Sequence, residues 1–165
     1  MTKKEKFKLV EAFIIDNREA YYRLAYSYVK NKETALDIVQ DAIVKALNSI
    51  DKLDEMAYLK TWFYRIIVNT AIDFIRKHHR VSILEDDILN LYLPKSEDKM
   101  TDMDLQDAID QLPPTYKTLI ILRFFEDLKI DEIAEITGLN VNTTKTRLYR
   151  ALKILRIEVG EDFIS

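Results

Sequence analysis

IDEIAEITGLNVNTTKTRLYRALKILR, residues 130–156, is the stretch that decides the fold. Ile130, Ile133, Ala134 and Ile136 recur at helical spacing, and Gly138 closes that short run. Gly138-Leu139-Asn140 leads into a longer run, for which Asn140 is a good N-cap. A short helix, a tight glycine turn and a longer helix make a helix-turn-helix pattern. In the longer helix Val141, Thr144, Leu148, Ala151, Leu152 and Leu155 are expected to face inward, at spacings of three and four. Facing outward are Asn142, Thr143, Lys145, Thr146, Arg147, Tyr149, Arg150 and Lys153. These are hydroxyls, amides and cations, the groups that a helix in the DNA major groove needs for base edges and phosphates. Its N-terminus adds partial positive charge toward a phosphate. Five bases and no acid precede Glu158 on this helix, which weighs against an ordinary amphipathic bundle helix.

Working outward, helices are expected at Asp102–Gln111 and Pro114–Phe125. Pro113-Pro114 stops the first and opens the second. Residues 81–101 lose helical periodicity and carry Glu85-Asp86-Asp87, Pro94 and Ser96-Glu97-Asp98. Their length is long for a loop inside a compact domain, so they read as an acidic linker between two domains.

The N-terminal half reads as three helices, over residues 7–30, 34–49 and 58–80, with a polar loop at Asp51–Ala57. The second has an apolar stripe of Leu36, Ile38, Val39, Ile43, Ala46 and Leu47. Asp37, Gln40 and Asp41 fall on its other side and fit either a solvated face or a partner surface. The third helix is apolar on two flanks, Leu59, Phe63, Ile66, Thr70 and Phe74 on one, Tyr64, Val68, Ile72 and Ile75 on the other. Its remaining stripe is Tyr58, Trp62, Arg65, Asn69, Asp73, Arg76 and Arg80, with Lys77 beside it. Aromatics next to cations suit unstacked bases and a phosphate chain; a core tryptophan with surface ion pairs fits the same residues.

The chain has 165 residues, 48% of them hydrophobic, with 2 Gly, 3 Pro and no Cys. So few glycines and prolines argue against a many-turned β fold and leave no glycine-rich phosphate loop. Disulfides, thiolate catalysis and cysteine-based zinc sites are excluded. The two histidines, His78 and His79, are adjacent, so on a helix they diverge and make a poor metal site; no metal or cofactor is expected. No run reaches the roughly 18 apolar residues of a membrane span. The reading is a soluble, cytoplasmic, all-α protein. Its charge is uneven: +4 over residues 1–80, −7 over 81–112 and zero over 113–165, for a net −3.

Two blocks of sequence resemble one family. AYSYVKNKETALDIVQDAIVKAL (25–47), YLKTWFYRIIVNTAIDFIRK (58–77), DQLPPTYKTLIILRFFEDLKIDEIAEITGLN (110–140) and NTTKTRLYRALKILR (142–156) are similar to extracytoplasmic-function sigma factors, specificity subunits of bacterial RNA polymerase. Among these the chain looks most like the cell-envelope stress sigmas of low-GC Gram-positive bacteria. The resemblance implies two small helical domains, with sigma domain two at 1–80, an acidic linker at 81–101 and sigma domain four at 102–165. It implies that Asp37, Gln40 and Asp41 bind the β′ clamp helices of core RNA polymerase. Trp62, Arg65, Asn69, Asp73, Arg76 and Lys77 correspond to the −10 promoter surface, and Asp51–Ala57 to the loop that holds a flipped non-template base. Asn142, Thr143, Lys145, Thr146, Arg147, Tyr149 and Arg150 are the candidates for reading the −35 element. An anti-sigma factor, often membrane-tethered in the family, is the further expected partner; no small-molecule substrate is.

Three positions depart from the family pattern. Lys129 stands where a capping Ser or Thr is common, so its helix should start weakly. Thr144 stands where relatives often have Val. The loop before Trp62 lacks the usual Gly and is acidic through Asp51, Asp54 and Glu55. The rival reading is a dimeric helix-turn-helix regulator that binds a palindrome by itself. A helical enzyme would need converging acids, whereas the acids here lie in the linker stretch or on outer faces.

Overall fold

The computed structural model describes residues 1–79 and 104–157. The expected linker at 81–101, the first residues of the helix expected from Asp102, and the chain beyond Ile157 lie outside them. The chain divides into two units between Arg80 and Val81. Among the described residues all regular structure is helical.

Unit one holds α1 (Lys3–Asp16), α2 (Arg18–Val29), α3 (Lys32–Asn48) and α4 (Leu59–His79). The helix expected over 7–30 is two helices that break at Asn17. There the backbone leaves the helical region (φ −113°, ψ 12°), and the Asn17 side-chain amide donates to the Phe13 carbonyl at 2.8 Å. An Asn that bonds the preceding turn competes with helix continuation, although the apolar periodicity runs on across it. Thr2 caps α1 by accepting from the Glu5 N–H, and Asn31 caps α3 by accepting from the Thr34 N–H. The expected loop 51–57 has a 3₁₀ turn at each end, Ile50–Lys52 and Met56–Tyr58, pinned by the buried Ile50 and Leu53.

Helices α2, α3 and α4 pack mutually around Tyr21, which is 1% exposed. Its ring meets Phe63 edge-on at 4.6 Å and Tyr64 at 5.4 Å, the T-shaped geometry that ring quadrupoles favour. The buried seam of α4 is Phe63, Ile67 and Ala71, all 0% exposed, with Tyr64, Val68 and Ile75 beside it. Ile66, Ile72 and Phe74, expected inside, are only half-buried.

Unit two holds α5 (Leu105–Gln111), α6 (Pro114–Ile120), α7 (Ile130–Thr137) and α8 (Val141–Ile154). Pro114 opens α6 at a position whose N–H would have had no intrahelical partner. The helix expected through Phe125 widens at Ile121–Phe125 into one π turn, closed by the Glu126 N–H on the Ile121 carbonyl at 2.9 Å. Helix α8 packs on α6 and α7 through Leu148, Ala151, Leu152 and Ile154, all buried. Gly138 ends α7 in the left-handed region at φ 76°, where a Cβ would crowd the following carbonyl.

Candidate functional site

Three surfaces carry the residues singled out from sequence. On α3, Asp37, Gln40 and Asp41 are all exposed. Lys45 lies 3.3 Å from the Asp41 carboxylate, a pair open to solvent on both sides and so worth little energetically. Leu36 was expected inside but is 50% exposed, and Val44 is 55% exposed. At i, i+4 and i+8, Leu36, Gln40 and Val44 form a stripe next to the two aspartates. The face is thus part apolar and part anionic. Sequence reasoning missed this because the apolar stripe of α3 is broad and its covered edge is set by α2 and α4.

On α4, Arg65, Asn69, Asp73, Arg76 and Lys77 are exposed, while Trp62 is half-buried. Between α3 and α4 runs a groove of about 410 Å³, with Ile38, Thr70 and Phe74 among its lining residues. It brings Asp37 and Asp41 together with Asp73 and Lys77, but not with Gln40. The Lys45 ammonium also reaches the Thr70 hydroxyl at 3.3 Å. His78 stacks on Phe74 at 3.9 Å and its Nδ1 lies 2.9 Å from the Phe74 carbonyl, so it is engaged within its own helix. Among the described residues no group of His, Asp or Glu could hold a metal ion.

On α8, Asn142, Thr146 and Tyr149 are exposed, and Thr143, Lys145, Arg147 and Arg150 are half-buried. Asn140 caps the helix by accepting from the Thr143 N–H at 2.7 Å. The Thr146 hydroxyl donates to the Asn142 carbonyl at 2.9 Å, which leaves its lone pairs facing out. The Arg147 guanidinium sits over the Tyr116 ring at 5.7 Å, a cation–π contact that ties it to α6 and fixes its direction. Val141, expected inside, is 40% exposed. The face is a capped helix start, then amide and hydroxyl groups, then cations.

Comparison with known proteins follows the same division. Residues 13–81 match the family described as Sigma-70 region 2, and residues 102–155 match Sigma-70, region 4. The chain is 51% identical over its full length to the full length of the RNA polymerase sigma factor SigV of Bacillus subtilis. The chain belongs to the extracytoplasmic-function sigma factors. It is also 34% identical to the ECF sigma factor SigW of the same species, over 87% of this chain and 85% of that one. The fold is shared with the sigma factor RpoE of Bartonella quintana at a TM-score of 0.67 and 24% identity, covering 88% of this chain and 93% of that one. Membership makes the chain a transcription initiation factor, acting with core RNA polymerase on promoter DNA. Among the described residues no helix is long and apolar enough to cross a membrane.

Proposed function

We propose that unit one is the polymerase-docking and −10-capturing domain of this sigma factor and that unit two reads the −35 element. The observation that carries this is the α3 face, where Asp37, Gln40 and Asp41 stand exposed beside the uncovered aliphatics Leu36 and Val44. A face of that composition suits a protein partner with a cationic, partly apolar helix. Asp37, Gln40 and Asp41 are its polar contacts on the β′ clamp helices. Trp62, Arg65, Asn69, Asp73, Arg76 and Lys77 take the melted downstream strand, where the cations hold phosphates and Trp62 offers a ring to an unstacked base. The loop 51–57 holds the flipped base. Asn142, Thr143, Lys145, Thr146, Arg147, Tyr149 and Arg150 meet the upstream element as duplex.

The chain performs no chemistry in this reading; it selects the site, and the polymerase makes the bonds. It works in the cytoplasm, where polymerase and promoter are, in a cell-envelope stress response, the role that the resemblance of its sequence blocks implies. An anti-sigma factor holds it inactive until the signal arrives. The structural relative from Bartonella quintana is in complex with the anti-sigma factor NepR, which supports a partner of that kind here.

The test is co-elution of the chain with core RNA polymerase in size-exclusion chromatography, with Asp37→Arg/Asp41→Arg as the comparison. Stoichiometric co-elution, lost in the double variant, is expected. A chain that ignores the polymerase and instead forms a dimer holding duplex DNA would favour the helix-turn-helix regulator.

A further inference from the structure

The first turns of α1 carry Lys3, Lys4, Lys6 and Lys8 against a single acid, Glu5. They lie before residue 13, where the match to Sigma-70 region 2 begins. This is not a loose basic tail. Thr2 caps the helix, Val10 and Ile14 are 0% and 4% exposed, and α1 packs against the 3₁₀ turn Ile50–Lys52.

One contact shows what the start of the helix lies beside. Lys3 Nζ lies 3.4 Å from Asp51 Oδ2, at the start of the segment 51–57. Both side chains are more than 70% exposed, so the pair contributes little to stability, but it marks where the lysines lie. The segment they adjoin is itself acidic: Asp51, Asp54 and Glu55 are all exposed. An acidic loop repels a phosphate chain unless cations beside it offset the field. Lys4, Lys6 and Lys8 make no ion pair or hydrogen bond through their ammonium groups among the described residues, which leaves them available for that task.

We propose that the lysine-rich start of α1 is an additional phosphate-binding edge, which grips the backbone of the single strand captured at segment 51–57. The inference rests on the reading of unit one as the domain that captures melted promoter DNA. The contact is to phosphodiester oxygens and reads no base, so it raises affinity alike for every downstream sequence. It also explains how a loop with three acids can serve a polyanion: the neighbouring helix adds to the loop's single cation, Lys52.

The experiment uses the full chain assembled with core polymerase. Its probe is a labelled fork of duplex and single strand, bearing a promoter that the unmodified holoenzyme selects from a randomised pool. Binding is followed by anisotropy as salt rises, for the unmodified chain, for Lys4→Gln/Lys6→Gln/Lys8→Gln and for the same three lysines changed to Arg. Glutamine keeps helix propensity close to that of lysine, so the fold should survive, and retained binding to core polymerase verifies it. Lys4 and Lys8, four residues apart, share one face of the helix and Lys6 lies on the opposite one, so a single strand meets one or two of the three. Each single-strand phosphate contact contributes about 0.7 to the slope of log affinity against log salt, so the glutamine variant should lose about 0.7–1.4 from that slope. The loss should be equal on forks with altered downstream bases, and the arginine variant should behave like the unmodified chain. An unchanged slope in the glutamine variant would overturn the proposal, and so would a loss that depends on base identity. If the unmodified holoenzyme assembles but selects no promoter, the reading of unit one fails and takes the proposal with it.

Discussion

Thr144 shows how one side chain reconciles a departure from the family with a sound core. It is 0% exposed, and its hydroxyl donates to the Asn140 carbonyl at 2.8 Å, so no polar atom is stranded. The same carbonyl accepts the Thr144 N–H at 3.0 Å. Removing the hydroxyl therefore leaves no orphaned acceptor, and Thr144→Val should change stability by less than about 1 kcal/mol in urea unfolding. Asn140 is different, because its side chain accepts from the Thr143 N–H, one of the donors that a helix start leaves without an intrahelical partner. Asn140→Ala should cost about 1 kcal/mol in the same assay, and Asn140→Asp close to nothing. Lys129 was expected to weaken the start of α7. Instead the Glu132 carboxylate accepts the Lys129 N–H at 3.1 Å, and Asp131 accepts the Glu132 N–H at 3.0 Å. Two acids replace the missing hydroxyl. Asp131-Glu132 in the sequence carries that compensation, since a carboxylate can accept from a helix N–H as a hydroxyl does.

At the scale of the element, the helices that sequence located best are those with chemical punctuation. Gly138 and Asn140 delimit α7 and α8, and Pro114 opens α6. The break at Asn17 and the π turn at Ile121–Phe125 were not legible, since neither interrupts apolar periodicity and neither uses Gly or Pro. Periodicity also names an apolar face more readily than it finds the centre of that face. On α4 the two expected flanks straddle the true seam of Phe63, Ile67 and Ala71. On α3 the stripe was too wide to reveal that Leu36 lies beyond the edge covered by its neighbours. Partner surfaces suffer most from this limit, because an uncovered aliphatic on a docking face looks the same in sequence as a core residue. Tyr21 is the element-scale test of the packing. It bridges α2 to α4 through two ring contacts at 1% exposure. Tyr21→Ala should cost roughly 3–5 kcal/mol, the range for deleting a buried aromatic. Urea unfolding followed by Trp62 fluorescence measures it, since Trp62 lies in unit one.

For the whole molecule, charge distribution decides what the chain does when polymerase is absent. Five bases crowd α8 and the residues just after it, yet the chain carries net −3, and residues 81–112 alone carry −7. The helix proposed to meet the −35 element is thus covalently joined to a strongly anionic stretch. Fields fall off over about 8 Å at physiological salt and reach several times farther at low salt. The acids should therefore lower the affinity of the free chain for duplex DNA most when salt is scarce. Such self-restraint has a use, because a free sigma factor that bound every duplex would be lost to nonspecific sites. Changing Glu85, Asp86 and Asp87 to their amides removes three negative charges and leaves the α8 contacts untouched. Without polymerase, anisotropy on a labelled random-sequence duplex should show tighter binding by several-fold at about 0.05 M salt, with the gain fading as salt rises. Affinity for core polymerase, which is assigned to α3, should not move. A gain that persisted unchanged at high salt would show that the acids act by a specific contact rather than through their field, and no gain at any salt would show that they do not restrain DNA binding.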